Sequence, residues 1–327
     1  MKLYQLSDAG FPGLTLAEQD VPQPGNGQVL VRMRAASLNY RDLMIAKGTS
    51  NGLVPLSDGV GEVESVGDGV TRVKRGDRVA GIFYQDWIDG PMKEADFASG
   101  LGGGAVNGTL AQYRLFDAER LVTIPDHLSW AEAATLPCAG VTAWNALLGL
   151  QPGQTVLTLG TGGVSIYALQ FAVAMGASVI ATSSSTHKEE RLIKLGAKAT
   201  INYREREDWG QVVREMTGGV GVDRVVEVGG GGTLANSFTA TRQCGEVDLI
   251  GVLTGGPVNT IPVLMKALVL RGIQVGSRAM FEAMNAFIAA HRLHPVVDRV
   301  FAFADATEAY EYQMSGQHFG KVVIDIA

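Results

Sequence analysis

A glycine-rich turn at residues 158–168, TLGTGGVSIYA, has the residue spacing that most directly suggests chemistry. Gly160 and Gly162 occupy the first two glycine positions of the pattern G-x-G-x-x-G, and Ser165 stands at the third. The first glycine permits a tight turn, and the second lets the backbone approach a pyrophosphate at the N-terminus of the following helix. Between a strand and a helix, such a turn predicts a dinucleotide site, the alternative being an unliganded structural turn.

The residues after the next predicted strand, SVIAT, distinguish the ligands that such a turn can take. NAD sites and most S-adenosylmethionine enzymes place a carboxylate there, which binds ribose hydroxyls. Here the strand is followed by hydroxyl groups and cations, namely Thr182, Ser183, Ser184, Ser185, His187, Lys188 and Arg191. This composition suits a 2′-phosphate and predicts NADPH, although the same residues would also serve as a helix cap and a solvated first turn.

Strands and helices alternate around this turn. The predicted strands are TVLTL, SVIAT, KATIN, DRVVEV and EVDLI, with GIQVGS as a sixth, and the helices are at 164–175, 188–195, 208–217 and 233–242. Alternation of this kind indicates βαβ units with right-handed crossovers and a parallel sheet. The helix VSIYALQFAVAM is apolar nearly all round, which predicts burial against that sheet.

Residues 1–120 and the C-terminal tail follow a different pattern. Short runs such as QVLVRMRAAS, GEVESVG and DRVAGIF are separated by turn signals, which indicates β-structure. In the tail, EAMNAFIAAH and DATEAYEYQMS predict helices, RVFAF predicts a strand, and KVVIDI predicts a closing strand that rejoins the N-terminal domain. The segment 85–108, containing GLGGGAVNG, has no clear period and is interpreted as a surface loop or, alternatively, a substrate lid.

Composition excludes several classes of function. The chain has 327 residues, 46% of them hydrophobic and 18% charged, and a net charge of −6. Length and composition predict a globular protein of about two domains, and the acidic balance argues against nucleic-acid binding. We expect no signal peptide and no membrane span, and therefore a cytoplasmic protein with Cys138 and Cys244 as free thiols.

A metal site is not predicted. The sequence contains no C-x-x-C pair, and a catalytic zinc needs several cysteine, histidine or carboxylate ligands. His291 and His294 have helical spacing, but they are predicted in the last turn of a helix before Pro295, where cations suit the helix dipole.

Together these patterns resemble the medium-chain dehydrogenase/reductase superfamily. The likeness is carried by AASLNYRDLMIAKG, GEVESVGDGVTRVKRGDRV, AATLPCAGVTAWNAL, LGTGGVS, GVDRVVEVGG and HFGKVVID. The resemblance implies an α/β protein with a GroES-like, β-rich catalytic domain at residues 1–123 and 277–327. A doubly wound, parallel-sheet Rossmann domain for NADP is implied at residues 124–276, and a homodimer is implied through the edge strand GIQVGS.

The resemblance also implies the site residues. Asn39 and Thr142 would flank the nicotinamide and its ribose, and Gly229 would lie near the adenosine. The pyrophosphate would be held by Gly160, Gly162, Gly163 and Val164. Ser184, Lys188 and Tyr203, with Ser183 beside them, would lie at the 2′-phosphate, and Val252, Leu253, Gly276 and Ser277 would lie near the carboxamide.

The resemblance to the family's zinc alcohol dehydrogenases is incomplete. Their three catalytic zinc ligands correspond to Asn39, Ser57 and Cys138 here, so two ligands are replaced. The chain is closer to the zinc-free quinone oxidoreductase and enoyl (alkenal) reductase branch. Tyr40 is the candidate proton donor beside Asn39, with solvent or a ribose hydroxyl as alternatives, and a core aromatic is the other interpretation of Tyr40. Arg41 and Asp42 are predicted to form a structural ion pair.

The predicted function is zinc-independent, NADPH-dependent transfer of hydride to a quinone or to the C=C bond of an α,β-unsaturated carbonyl. Hydride then adds at carbon while charge develops on a distant oxygen, which hydrogen-bond donors can stabilise. The alternatives are an NAD(P)-dependent alcohol dehydrogenase or carbonyl reductase, and a non-catalytic NADPH-binding protein.

Overall fold

In the computed structural model, which describes residues 1–48 and 51–326, the first part of the chain is mainly β-structure. Its strands and helices are β1 (Lys2–Ser7), β2 (Gly10–Glu18), β3 (Gln28–Leu38), α1 (Tyr40–Ala46), β4 (Asp58–Val66), β5 (Arg78–Gly81), β6 (Tyr113–Asp117), β7 (Leu121–Thr123) and α2 (Trp130–Ala133). A π-helical turn, Leu136–Gly140, follows α2.

The middle of the chain alternates between strands and helices, as predicted. Its elements are α3 (Val141–Ala146), β8 (Thr155–Thr158), α4 (Gly163–Ala174), β9 (Ser178–Ser183), α5 (Thr186–Lys194), β10 (Ala199–Asn202), α6 (Trp209–Met216), β11 (Val222–Glu227), α7 (Leu234–Ala240), β12 (Thr241–Leu249), α8 (Ile261–Met265) and β13 (Val269–Gly272). The tail contains α9 (Arg278–His291), β14 (Val297–Ala302), α10 (Ala306–Ser315) and β15 (Lys321–Asp325).

Two compact units result: unit 1 comprises Met1–Val141 with Val275–Ala327, and unit 2 comprises Thr142–Gln274. The first boundary lies after Val141, not at the predicted 123/124, because α2 packs against β3, β4, β14 and β15 and so keeps residues 124–141 with unit 1. The second boundary lies just before the predicted 276/277.

The closing strand of the tail rejoins the N-terminal part of unit 1, as predicted. In the main sheet the strand order is β14-β15-β3-β4-β5-β7, and β6 also pairs with β3. β15 is antiparallel to β3, with Val322 opposite Leu38, and parallel to β14. This pairing brings the first residue of β15 to the C-terminal end of β3.

Unit 2 is a doubly wound parallel sheet. Its strand order is β10-β9-β8-β11-β12-β13, and each adjacent pair is parallel. The order reverses between β8 and β11, which is the point where open α/β sheets bind ligands at the carboxyl ends of their strands. α4 is extensively buried, as its apolar sequence predicts. It begins shortly after β8, so its N-terminus lies at that end of the sheet.

The sixth strand differs from the prediction. GIQVGS does not form it; the edge strand is β13, Val269–Gly272, which precedes most of that segment. β13 pairs with β12 from Val269 opposite Glu246 to Gly272 opposite Leu249, and Ile273 donates a last backbone hydrogen bond to Leu249. The apolar side chains of Val269 and Leu270 are exposed on this edge strand.

The segment 85–108 is packed into unit 1 and is not an unanchored surface loop. It contains the 3₁₀ turn Glu94–Ser99, and the side chains of Trp87 and Leu101 are buried. The Trp87 indole donates to the carbonyl of Gly90 at 2.9 Å, and the Leu101 amide donates to the carbonyl of Phe83. No helix of the described residues is long and apolar enough to cross a membrane.

Candidate cofactor and catalytic sites

The glycine turn after β8 leaves space for a ligand. Gly160 has φ +71°, a left-handed conformation that favours glycine, and Gly162 precedes α4 in an extended conformation. A Cβ atom built at either glycine would have no neighbour within 4 Å. Gly163 and Val164 begin α4 at the same place, so the backbone N–H groups of this helix end are available to an anion.

Ser165 explains why the third glycine is dispensable. Its side chain is buried, and its hydroxyl donates a 2.6 Å hydrogen bond to the carbonyl of Leu159 at the end of β8. The serine therefore ties the first turn of α4 to the strand, and the turn keeps its form without a glycine at that position.

The ends of β9 and β10 bring the predicted 2′-phosphate residues to one edge of the sheet. The Thr182 hydroxyl accepts from the amide of Gly160 at 3.0 Å, which connects the glycine turn to this edge. The amide of Tyr203 donates to the carbonyl of Ser183 at 3.0 Å, and the Tyr203 side chain is exposed. Ser184 follows β9 directly, and Lys188 lies in the first turn of α5.

Ser183 has a local structural role. Its buried hydroxyl accepts from the amide of Ser185 and donates to the carbonyl of the same residue, at 3.2 and 3.1 Å. β9 ends without an aspartate or glutamate, and the next acidic residue along the chain is Glu189, in the first turn of α5. The end of this strand therefore presents hydroxyl groups and no carboxylate.

Glu227, which the sequence interpretation missed, organises the turn after β11. The side chain is fully buried and accepts from the amides of Gly229 and Gly230 at 2.7 and 3.1 Å. It also accepts from the hydroxyls of Thr233, at 2.6 Å, and Ser237. An acidic residue at the end of an apolar strand, followed by glycines and a threonine, is the signal that could have identified it.

The turn after β11 is joined to the loop after β12. The Thr254 amide and hydroxyl both donate to the carbonyl of Gly229 at 2.8 Å. Val252 and Leu253, two predicted cofactor-binding residues, lie in this loop and expose their side chains, Val252 by 70%. Unit 2 therefore brings Gly229, Val252 and Leu253 together.

Three further residues predicted to bind the cofactor, Thr142, Gly276 and Ser277, are packed against or hydrogen-bonded to neighbouring residues of the protein. Thr142 is buried in α3 of unit 2. In unit 1, the Ser277 hydroxyl caps α9 by accepting from the amide of Met280 at 3.2 Å, and Ser277 is buried. A Cβ atom on Gly276 would lie 2.5 Å from a Val141 side-chain carbon. Their roles toward a cofactor stay predictions.

Four polar side chains form a buried cluster where β3, β4 and β15 meet in unit 1. The Lys321 ammonium donates to the carbonyl of Leu38 at 2.5 Å and to the Asn39 carboxamide oxygen. The same ammonium lies 3.8 Å from a carboxylate oxygen of Asp58. The Ser57 hydroxyl donates to Asp58 at 2.9 Å and lies 3.5 Å from the Asn39 amide nitrogen.

Tyr40 is the first residue of α1, and its side chain is 45% exposed, so the interpretation of Tyr40 as a core aromatic is wrong.

The ion pair predicted between Arg41 and Asp42 is present, with Arg41 Nη1 and Asp42 Oδ1 3.6 Å apart. Asp42 also accepts from the backbone amide of Asn39 at 2.7 Å. Burial raises the pKa of the Asp42 carboxyl to about 6, although the Arg41 guanidinium acts in the opposite direction.

The residues at the family's zinc-ligand positions do not suit a zinc ion. Asn39 offers an amide and Ser57 a hydroxyl, whereas zinc prefers thiolate, imidazole or carboxylate. Burial, and then the charge of Asp58, raise the pKa of the Cys138 thiol, which opposes the thiolate that a metal requires. The Lys321 ammonium also already binds the Asn39 oxygen. Within residues 1–48 and 51–326, no group of three or more His, Cys, Asp or Glu side chains could hold a metal.

The histidines of the tail differ from the prediction in one respect. α9 ends at His291, because Arg292 adopts a left-handed conformation with φ +48°. His294 therefore lies beyond the helix, and its Nδ1 atom is 2.8 Å from a carboxylate oxygen of Glu132.

Similarity to known proteins identifies the family. Residues 25–126 match the model of the alcohol dehydrogenase GroES-like domain, and residues 163–290 match the model named zinc-binding dehydrogenase. A zinc-type alcohol dehydrogenase-like protein of Schizosaccharomyces pombe is 46% identical over 97% of this chain and 96% of its own length. The chain belongs to the medium-chain dehydrogenase/reductase superfamily. It is an alcohol dehydrogenase-like, NAD(P)-dependent oxidoreductase with a GroES-like domain and a Rossmann-like domain.

Other proteins similar to this chain are named as alcohol dehydrogenases or as a reductase. A candidate alcohol dehydrogenase from Sinorhizobium meliloti 1021 has a crystal structure with a TM-score of 0.93 and 40% identity, covering 99% of this chain and 98% of its own. An NAD-dependent alcohol dehydrogenase structure has a TM-score of 0.90 and 32% identity, with both chains fully covered. The 2-methylene-furan-3-one reductase of Solanum lycopersicum is 31% identical over 99% of this chain and 79% of its own length.

Proposed function

We propose that the chain is a zinc-independent, NADPH-dependent reductase of quinones or of the C=C bond of α,β-unsaturated carbonyls. The observation that carries the proposal is the cluster of Asn39, Ser57 and Lys321, which offers an amide, a hydroxyl and an ammonium in place of metal ligands. A simple ketone needs a strong electrophile at its oxygen before hydride attacks. A conjugated acceptor needs less, because the developing charge spreads to a distant oxygen.

NADPH, when bound, supplies the hydride, and the chain would bind and orient it. Gly160, Gly162, Gly163 and Val164 would hold the pyrophosphate with backbone amides. Ser184, Lys188 and Tyr203 would surround the 2′-phosphate, since β9 ends in hydroxyl-bearing residues and not in the carboxylate that binds ribose hydroxyls in NAD sites. Since one relative of known structure is an NAD-dependent alcohol dehydrogenase, titration with both cofactors is the test of this preference.

Tyr40 would donate a proton to the reduced acceptor. Its side chain is exposed at the start of α1, so its hydroxyl can reach a small molecule. Hydride adds to carbon, the electron pair of the C=C bond moves toward the carbonyl oxygen, and the proton completes the reduction. Solvent is the alternative proton source, and a Tyr40→Phe variant separates the two.

The first test compares acceptors. We expect the purified protein to oxidise NADPH with quinones, 2-enals and enones, and to turn over simple ketones far more slowly. We also expect elemental analysis to find much less than one zinc per chain. One tightly bound zinc per chain whose removal abolishes activity would contradict the proposal and favour an alcohol dehydrogenase, the activity in the names of several relatives. NADPH binding without turnover of any acceptor would favour a non-catalytic protein.

We also propose a homodimer formed through the edge of the unit 2 sheet. β13 is the edge strand, and an uncovered edge strand tends to pair with another chain. The exposed apolar side chains of Val269 and Leu270 lie on it, and those of Ile261, Leu264 and Met265 lie on the preceding α8. Pairing across a two-fold axis would cover this surface in both copies.

Light scattering tests the dimer. We expect a mass twice the 34.6 kDa of the chain at micromolar concentration. Leu264→Glu, at an 80% exposed position, should shift the protein toward the monomer because it buries a charge in the interface. Val220→Glu, at a 60% exposed position before β11, is the matched control and should not. A monomeric mass for the unmodified protein would overturn the proposal.

A further inference from the structure

Lys321 is a buried cation in direct contact with the backbone just before Tyr40. It is 4% exposed and is the first residue of β15, whose pairing with β3 places it at the end of that strand. Its ammonium donates to the carbonyl of Leu38 and to the carboxamide of Asn39, which are consecutive residues. Tyr40 follows them directly.

The same turn is held from its other side by Asp42. The Asp42 carboxylate accepts the backbone N–H of Asn39 at 2.7 Å, and Arg41 donates to the carbonyl of Leu101 at 2.9 Å. The Leu38–Asn39 peptide, one residue before Tyr40, is therefore held between a buried ammonium and a buried carboxylate. Tyr40 itself stays exposed.

Lys321 also faces Asp58, a fully buried carboxylate whose nearest oxygen lies 3.8 Å away, so part of its role is to offset that charge. Removing the ammonium alone would leave the Asp58 charge buried and unpaired, so Lys321→Met is also expected to lower the melting temperature. The ion pair does not account for the two hydrogen bonds of the ammonium, which are directed at Leu38 and Asn39. Because these residues precede an exposed tyrosine, the contacts indicate a role in placing that tyrosine.

We infer that Lys321 is a positioning residue for the reduction: through Leu38 and Asn39 it fixes the turn that presents the Tyr40 hydroxyl to the reduced acceptor. The inference rests on the proposed function, because it assigns the proton donor of that reaction. Lys321 does not touch the acceptor. Its ammonium keeps its own proton and contributes only the geometry of the turn.

Kinetics with two substitutions at Lys321 test the inference. Lys321→Met has similar length and no donor, and we expect kcat to fall about 10- to 100-fold, as for a misplaced reacting group, with KM for NADPH nearly unchanged. Lys321→Arg keeps the charge and the donors and should recover part of the loss. Val323→Ala, in the buried part of the same strand, is the control for lost stability and should lower the melting temperature without lowering kcat.

A double-mutant cycle with Tyr40→Phe shows whether the effect acts through Tyr40. If it does, Lys321→Met should add almost nothing to the loss caused by Tyr40→Phe alone. Fully additive losses, or an unchanged kcat in Lys321→Met, would overturn the inference while leaving the reductase proposal intact.

Hydrogen exchange gives a readout that needs no turnover. Lys321→Met should speed amide exchange in residues 39–46, and Val323→Ala should not do so selectively. If the protein turns over no acceptor but shows this selective effect, the proposed reaction fails and the placement of the turn by Lys321 stands. If exchange in residues 39–46 is unchanged, the positioning role fails whatever the activity.

Discussion

Replacing Gly162 by valine is expected to leave the protein folded and to weaken NADPH binding by more than about 100-fold. Gly162 has φ −76° and ψ 175°, an extended conformation open to any residue, and its Cβ would meet no atom within 4 Å. The new side chain would instead fill the space in front of α4. Losing two charge-assisted hydrogen bonds to the pyrophosphate, at roughly 1.5–3 kcal/mol each, exceeds a hundredfold in affinity.

Fluorescence titration with NADPH and a thermal melt measure the two effects of this substitution separately. Gly272→Val, on the far edge strand of the same sheet, also adds a Cβ into open space and should leave NADPH affinity unchanged, with its oligomeric state checked by light scattering because β13 lies in the proposed dimer interface. Gly160→Val should lower both stability and affinity, because Gly160 has φ +71°. A Gly162→Val protein that binds NADPH within a few-fold of the unmodified protein would place the cofactor elsewhere.

Local pattern was sufficient to predict the parallel sheet of unit 2. Its first five strands each contain buried apolar residues and are separated by helices, so their existence and type follow from hydrophobic periodicity. The edge strand was misplaced by a few residues because β13 has only four residues, Val269–Gly272, too few for an alternating pattern to set its bounds. The sequence also could not explain Ser165, which replaces the third glycine of the pattern. The structure explains it by the hydrogen bond from the Ser165 hydroxyl to the carbonyl of Leu159.

The catalytic side of the candidate site could be predicted only in part. The sequence identified Asn39, Tyr40 and Cys138 because they fall in segments with a family likeness. It missed Lys321, whose contact with Asn39 joins two ends of the chain and depends on the register of β15 against β3. The burial of Asp58 and the exposure of Tyr40 likewise depend on tertiary packing, which no local window of sequence contains.

Replacing Lys188 by alanine is expected to weaken NADPH binding about tenfold to a hundredfold while barely changing the affinity for NADH. A charge-assisted hydrogen bond to a phosphate contributes roughly 1.5–3 kcal/mol, and NADH lacks the 2′-phosphate that would accept it. Lys188 lies in the first turn of α5, which is separated from the end of β9 by two residues. Ser184 follows β9, and the Tyr203 amide donates to the Ser183 carbonyl, so both residues of the predicted site adjoin the same strand end.

Titration of the Lys188→Ala protein with both cofactors decides whether this edge of the sheet selects the 2′-phosphate. Lys194→Ala, which removes an exposed lysine from the last turn of the same helix, controls for a general loss of positive charge and should change neither affinity. A parallel fall in both affinities would make Lys188 a structural residue of α5. A preference of the unmodified protein for NADH would show that the serines and cations after β9 form only a helix cap, and the cofactor assignment would change with it.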